Sequence, residues 1–320
     1  MSVAAMKPRP STFSIVARDP EQNAVGVAVQ SKFVSVGSVV PFVSADTGAI
    51  ATQSFANVAY GPDGLDLLRA GHTAAEVVEL LTEDDEDAPS RQVGVVERDG
   101  SGGEDTVAAF TGKDCFDVAG DIQGDHYTVQ GNILENEATL ESMAEAFETA
   151  DGGLPERLIA ALHAGNDAGG DKRGEQSAAM YIAKPDGGYD GGNDRWVDVR
   201  VDDHEHPIDE LERVFKHYDI TLLEREAPDE TVSLSGETAE SVLETLAELG
   251  LYDGTPSSEF GDEAVDALES FRGMNNFENH SLVVLEDAIA RGWDDVADVT
   301  DGEERLVEAI WQGLTRLDRK

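Results

Sequence analysis

The strongest constraint on this chain is a series of short β-branched runs in its first part, separated by clusters of turn-forming residues. Thr12 to Ala17, Val25 to Gln30, Gly48 to Ser54, Gln92 to Val96, Thr106 to Phe110 and Tyr127 to Gly131 each have the length and residue types of a strand. The first two flank Asp19-Pro20-Glu21-Gln22-Asn23, residues that favour chain reversal. An antiparallel hairpin is expected there.

Helices interrupt the strands with readable signals. Thr73 and Glu76 form a capping box ahead of Val77, Val78, Leu80 and Leu81, predicting a helix near 73–82. Leu140, Met143, Ala144 and Phe147 recur at helical spacing, as do Leu154, Leu158, Ala161 and Leu162, with Gly165 as the expected residue just past the helix end. Ser177 to Ala183 and Trp196 to Val201 read as further strands, and Ile208, Leu211, Phe215 and Tyr218 as one helical stripe. This order favours an α+β fold, antiparallel sheets with helices on their outer faces, over a regular βαβ winding.

A boundary is expected at the charged, proline-containing stretch Arg225-Glu226-Ala227-Pro228-Asp229-Glu230. Beyond it only helical patterns remain. Val242, Leu243, Leu246 and Leu249 end at Gly250; Val265, Leu268 and Phe271 end at Gly273; a further pair lies near 283–290 and 306–317. The chain therefore divides into an N-terminal extension (1–11), a large α+β domain (12–227) and a small all-α domain (232–320).

The 320 residues carry 66 Asp and Glu against 23 Lys and Arg, a formal net charge of −43, with the acids spread along the whole chain. A salt-rich cytoplasm is the simplest setting, because near 1 M salt the screening length falls to about 3 Å and self-repulsion fades. No basic patch is available for phosphate contacts, so nucleic acid is not an expected partner. No apolar stretch approaches the roughly 20 residues of a membrane span, and MSVAAMKPRPS lacks the apolar run of a secretory signal. A cytoplasmic protein with no membrane partner is expected. Cys115 is the single cysteine, which excludes an internal disulfide and a four-thiolate zinc site.

The run Thr12-Phe13-Ser14-Ile15-Val16-Ala17-Arg18-Asp19-Pro20, then Gly26-Val27-Ala28-Val29-Gln30-Ser31-Lys32-Phe33 and Val36-Gly37-Ser38, resembles the opening of a widespread uncharacterised family placed in the Ntn-hydrolase superfamily. Ordered matches continue through Ala51-Thr52-Gln53, Asn57, Tyr60-Gly61, Arg91-Gln92-Val93-Gly94, Val129-Gln130-Gly131-Asn132, Gly170-Asp171, Asn193-Asp194-Arg195 and Val199 to His204. The resemblance implies an Ntn-hydrolase-like four-layer αββα sandwich. The tail, through Leu249-Gly250-Leu251-Tyr252-Asp253-Gly254, Phe260-Gly261-Asp262 and Phe271-Arg272, resembles the peptidoglycan-binding helical domain attached to some family members. In a cytoplasmic protein, docking or dimerisation is an equal reading of that module.

Enzymes of the superfamily attack a carbonyl with a Thr, Ser or Cys at the start of the mature chain, whose free α-amine, with a pKa near 8, takes the nucleophile's proton. Thr12 occupies the matching place. In many family members this threonine directly follows the initiator methionine, whereas here eleven residues precede it. With them attached, the nitrogen is an amide and cannot act as a base.

Lys32 is a candidate for lowering the nucleophile's pKa, or is a surface lysine on a hairpin. Asn57, Gln130 and Asn132 offer amide donors for an oxyanion, or serve turns beside glycine. Arg195 with Asp194, and Arg173 with Asp171, are candidate substrate clamps or structural ion pairs. Asp202, Asp203, His204, Glu205 and His206 carry metal-binding atoms, but neighbours along a strand point to opposite faces, so no metal and no cofactor are expected. The expected function is therefore an amidohydrolase acting on a small amide, ureide or peptide-like substrate. The alternative is a non-catalytic dimeric binding or scaffold protein on the same fold.

The charge balance carries its own test. The midpoint of thermal unfolding should rise steeply between low salt and molar KCl; a midpoint independent of salt would show that self-repulsion is not a significant term.

Overall fold

The computed structural model describes residues 12–98, 106–116, 118–296, 299 and 301–320. The chain separates into two compact units, Met1–Glu212 and Arg213–Lys320.

The first unit opens with β1 (Thr12–Asp19) and β2 (Ala24–Ser31), followed by β3 (Pro41–Ser44), β4 (Gly48–Ser54), α1 (Tyr60–Arg69) and α2 (Ala74–Glu83). It continues with β5 (Arg91–Glu97), β6 (Val107–Thr111), β7 (Val118–Gln123), β8 (Tyr127–Leu134), α3 (Ala138–Thr149) and α4 (Leu154–Asp167). β9 (Ser177–Ala183), β10 (Arg195–Val201) and α5 (Pro207–Leu222) complete the series, and the division between the units falls inside α5. The division lies there because Ile220, near the end of α5, belongs to the second unit's core.

Two antiparallel sheets result, one ordered β10-β9-β2-β1-β8-β7 and the other β3-β4-β5-β6. The hairpin read from the sequence is β1 against β2, with Thr12 opposite Ser31 and Asp19 opposite Ala24. Thr73 and Glu76 form the expected capping box, the Thr73 hydroxyl accepting from the Glu76 amide and the Glu76 carboxylate from the Thr73 amide.

Alternation along each strand decides what faces what. Val16, Val25, Val27 and Val29 from the larger sheet meet Ala49, Ala51 and Val96 from the smaller one in a shared apolar layer. The opposite face of the smaller sheet buries Ile50, Val93 and Val95 against Tyr60, Leu68 and Val77 of α1 and α2. Phe13, Met143, Leu158 and Leu162 are buried where α3 and α4 cover the larger sheet.

Toward the Thr12 end the layer between the sheets turns polar. Ser14, Gln53, Gln92, Gln130 and Asn132 are buried and hydrogen-bonded to one another across β1, β4, β5 and β8. The Ser14 hydroxyl donates to Gln53 Oε1 at 2.6 Å and accepts from Gln130 Nε2 at 2.6 Å. Gln53 Nε2 donates to Gln92 Oε1 at 2.8 Å, and Gln92 Nε2 reaches the Gly120 and Gly131 carbonyls at 3.0 and 2.9 Å. Gly94 leaves the space this requires, since a Cβ there would lie 2.3 Å from Gln130 Oε1.

Three elements were absent from the sequence reading: β3, β7 and α1. Two glycines also differ from it. Gly165 lies inside α4, where a Cβ would come within 2.6 Å of Met143 Cγ, so its role is close packing of α4 on α3. Gly273 likewise sits inside α7 (Asp262–Met274).

The second unit contains, besides the end of α5, α6 (Gly236–Glu248), α7, α8 (Leu282–Gly292) and α9 (Gly302–Leu314). They bury Leu243, Leu246, Leu268, Phe271, Ile289 and Ile310 in one core. Gly250, with φ 73°, follows α6 in the left-handed conformation expected past a helix end.

The polar layer gives a stability test. Gln92→Leu keeps the volume but removes the side-chain donor to the Gly120 and Gly131 carbonyls and the acceptor shared by the Gln53 and Asn132 amides. A loss of about 3 kcal/mol in denaturant unfolding is expected, and an unchanged midpoint would show the network contributes nothing net.

Candidate functional site

Thr12 is the first residue of β1 and lies between two partners, opposite Ser31 on β2 and Asn132 on β8. Directly opposed residues share a face, so these three side chains all point between the sheets. Thr12 Oγ1 and Ser31 Oγ are 3.0 Å apart, and Thr12 is only 2% exposed. Its carbonyl accepts from Gln53 Nε2 at 3.3 Å and from Asn132 Nδ2 at 3.5 Å. The polar layer therefore fixes both sides of this residue.

Thr12 also lines a cavity of about 330 Å³. Phe33, Val36, Val39, Val40, Phe55 and Ala56 make its apolar walls; Thr12, Gln53, Ser54 and Arg91 supply the polar groups. A mostly apolar hollow with a few convergent polar atoms is the usual form of a small-molecule site.

Two left-handed residues stand beside it. Ser54, which ends β4, has φ 66°, and Ile133, next to Asn132, has φ 52°. A β-branched residue pays a steric cost in that region, of order 1–3 kcal/mol, and persists only where its surroundings hold it. Here Ile133 donates to the Phe116 carbonyl at 3.0 Å and accepts from the Lys172 amide at 3.1 Å, at a register shift between β7 and β8. The irregularity ends regular pairing beside Asn132.

Arg91 ties the loops around the cavity together. Its Nε donates to Asp85 at 3.0 Å, its second terminal nitrogen to Asp87 at 3.4 Å, and the first to the Phe55 carbonyl. The Tyr60 hydroxyl donates to the same Asp85 oxygen at 2.8 Å. Hydrogen bonding to Arg91, supported by Tyr60, holds the Asp85 carboxyl down to about 2, and burial first, then Asp85, pushes the Tyr60 phenol up. The Cys115 thiol, 3.4 Å from the Arg91 carbonyl, is pushed up by burial, which disfavours the thiolate.

Of the residues singled out from the sequence, the structure brings Thr12, Gln130 and Asn132 into one hydrogen-bonded layer. Lys32 is exposed, its Nζ on the Glu175 carbonyl at 2.7 Å, and it is not among the cavity residues. Asp171 is buried near the Thr12 end, where it accepts from the Lys32 and Arg173 amides and pairs with the Arg173 guanidinium at 3.2 Å. Asn57 lies outside the cavity lining: its Oδ1 accepts from the Ala59 amide and its Nδ2 faces Asp85 at 3.5 Å.

Asp194 and Arg195 are placed at the other end of the larger sheet. Arg195 pairs with Ala183, which pairs with Val25, whereas Ser31, beside Thr12, is six residues further along β2. At about 3.3 Å per residue the separation is roughly 20 Å. There Arg195 pairs with Asp198 at 3.0 Å, and Asp194 accepts from the Asp186 amide. At 202–206, the His206 amide donates to His204 Nδ1 at 3.0 Å, and among the described residues no cluster of His, Cys, Asp and Glu is arranged to hold a metal.

Sequence reasoning missed Ser14, Ser31, Gln53, Gln92 and Arg91 as site residues. A signal was present: Ser14, Gln53, Gln92 and Gln130 are polar side chains within strands that are buried on both faces.

A family model described as "Family of unknown function (DUF1028)" matches residues 12–211, and one described as "Putative peptidoglycan binding domain" matches residues 221–311. A crystal structure of a protein from Silicibacter pomeroyi, assigned to the first of these families, is 32% identical, covering 65% of this chain and 86% of that one, with a TM-score of 0.59. No curated protein matches. No helix among the described residues is long and apolar enough to cross a membrane.

The Arg91–Asp85 contact has a pH signature. The folded carboxyl titrates below an unfolded aspartate, so its stabilising contribution is complete above about pH 4 and is lost as pH falls through about 2. The gap in unfolding midpoint between wild type and Asp85→Asn should close over that window; a constant gap would mean the effect of the substitution is steric.

Proposed function

From the premise that the chain belongs to the family of unknown function DUF1028 over residues 12–211, we propose that it is an amidohydrolase of the N-terminal-nucleophile type. Its substrate would be a small amide, ureide or peptide-like compound. The larger unit is then an Ntn-hydrolase-like αββα sandwich, a reading supported by two facing antiparallel sheets with helix pairs against their outer sides. The observation that carries the proposal is the position of Thr12: first residue of its strand, side chain between the sheets, on the wall of an apolar cavity.

The chemistry requires cleavage before Thr12. The freed α-amine takes the hydroxyl proton as Oγ1 attacks the substrate carbonyl carbon, and the carbonyl oxygen becomes the oxyanion of a tetrahedral intermediate. The intermediate collapses to a threonyl ester while the amine product leaves with the proton. Water, deprotonated by the same amine, then hydrolyses the ester and restores the hydroxyl. The Asn132 and Gln53 amides stand beside Thr12, and either would exchange its bond to the Thr12 carbonyl for one to the oxyanion.

A binding protein on the same fold is the second reading. It is favoured by the near-complete burial of Thr12 and by the eleven residues ahead of it. The acidic composition supports a salt-rich cytoplasm as the setting, and the helical unit would serve as a docking or dimerisation module.

Intact mass and N-terminal sequencing of natively expressed protein, with an amide panel assayed in molar KCl, separate the two. The enzyme reading expects a chain beginning at Thr12 and a loss of at least about a thousandfold in turnover for Thr12→Ala. An active protein still beginning at Met1 or Ser2, or full activity in Thr12→Ala, overturns it.

A further inference from the structure

The cavity wall carries one feature that neither the fold nor the attack on an amide requires. Among the described residues that line it, only Arg91 bears a charge; the rest are apolar or neutral. Its side chain is 15% exposed and is fixed by Asp85, Asp87 and the Phe55 carbonyl. These contacts use one hydrogen on each of its three nitrogens. A guanidinium has five N–H groups in a planar fork, so donors remain on both terminal nitrogens.

We propose that Arg91 recognises a carboxylate on the substrate, so that this site takes a small monoanion with a branched or aromatic apolar body. The proposal rests on the reading that the Thr12 cavity is the substrate site. At about 330 Å³ the cavity is at the small end of ligand pockets, room for one compact group between Phe33, Phe55 and the three valines. Arg91 stands opposite Ser54 in the β4–β5 pairing, on the helix-covered face of the smaller sheet, and reaches the cavity at the end of that sheet. Thr12, Gln53 and Ser54 line the same cavity and supply its neutral polar groups.

Charge balance narrows the kind of recognition. Asp85 and Asp87 together outweigh Arg91 at a distance, and the chain as a whole carries −43, so no long-range field draws anions inward. The guanidinium acts only by direct, paired hydrogen bonds, which molar salt screens far less than an attraction across solvent. Preorganisation by Asp85 and Asp87 removes the rotamer cost of holding the fork in place. The clamp expected from the sequence was Arg195, but that residue lies at the far end of the larger sheet, roughly 20 Å from Ser31 beside Thr12.

The test is calorimetric titration of the full chain in molar KCl with phenylacetate and its neutral isostere phenylacetamide. Phenylacetate should bind at least about tenfold more tightly, the worth of one charge-assisted hydrogen bond. Arg91→Gln, which keeps amide donors without charge, should abolish the preference, and Thr12→Ala should retain it. Equal or tighter binding of the amide, no binding of either compound, or an acid preference that survives Arg91→Gln overturns the proposal. Should Arg91→Gln fail to fold, the wild-type comparison decides alone. Amide hydrolysis without any acid preference would remove this inference and spare the enzyme reading; acid preference without hydrolysis would do the reverse.

Discussion

The hydrogen-bonded layer of side-chain amides between the two sheets is the constraint on which the site depends. A glutamine amide buried in a core costs several kcal/mol unless both its donor and its acceptor are used. Gln53, Gln92 and Gln130 meet that demand through one another, through Ser14, Thr111, Thr128 and Asn132, and through the carbonyls of neighbouring strands. A slip of either sheet by one residue would turn every one of these groups to the wrong face. The valine layer at the other end of the same interface has no such requirement, since apolar contact is non-directional. One half of the interface supplies attraction, and the other half sets register, including the position of the Thr12 carbonyl.

Local irregularity then shapes what the register has fixed. Ser54 and Ile133 leave the strand conformation near Thr12, Ser54 on the cavity wall at the end of β4 and Ile133 at the register shift between β7 and β8. Arg91 holds the opposing walls by joining the Phe55 carbonyl to the Asp85–Asp87 turn. The cavity is thus bounded by strained backbone and a fixed ion pair rather than by loose loops, the arrangement expected of a preformed site.

What was legible in the sequence was local. β4 and β9 match the predicted runs, and the Thr73–Glu76 box marks its helix, because alternation and capping act within a few residues. β3 is four residues beginning with proline, β7 carries Ala-Gly-Asp through its middle, and α1 opens Tyr-Gly-Pro-Asp-Gly, a sequence that reads as a turn. In α1 tertiary packing overrides propensity: a Cβ at Gly61 would lie 2.2 Å from the Phe42 ring, so the glycine is there to admit it. The candidate site was legible where one strand could be read alone, as for Thr12 and for Gln130 with Asn132. It was not legible where three strands had to be assembled, as for Ser31, Gln53 and Gln92, or where Arg91 and Arg195 could be told apart only by the sheet, and the end of it, that each occupies.

Between the sheets of the first unit, buried polarity is met by neutral amides, with an ion pair at Asp171–Arg173 beside them. In the second, Asp219 is almost fully buried and receives Arg225, Arg319 at 3.0 Å and the Trp311 indole at 3.2 Å, joining the end of α5 to the last residues of the chain. All three donors converge on Oδ2, and two guanidinium charges with an indole N–H offset the cost of burying that carboxylate. Neither device responds much to salt, the amides because they are uncharged and the buried ions because solvent does not reach between them. The acids spread over the surface respond strongly. Salt therefore acts on this protein through the surface that surrounds the fold, and the geometry around Thr12 follows from whether the chain is folded rather than from any direct effect of ions at the site.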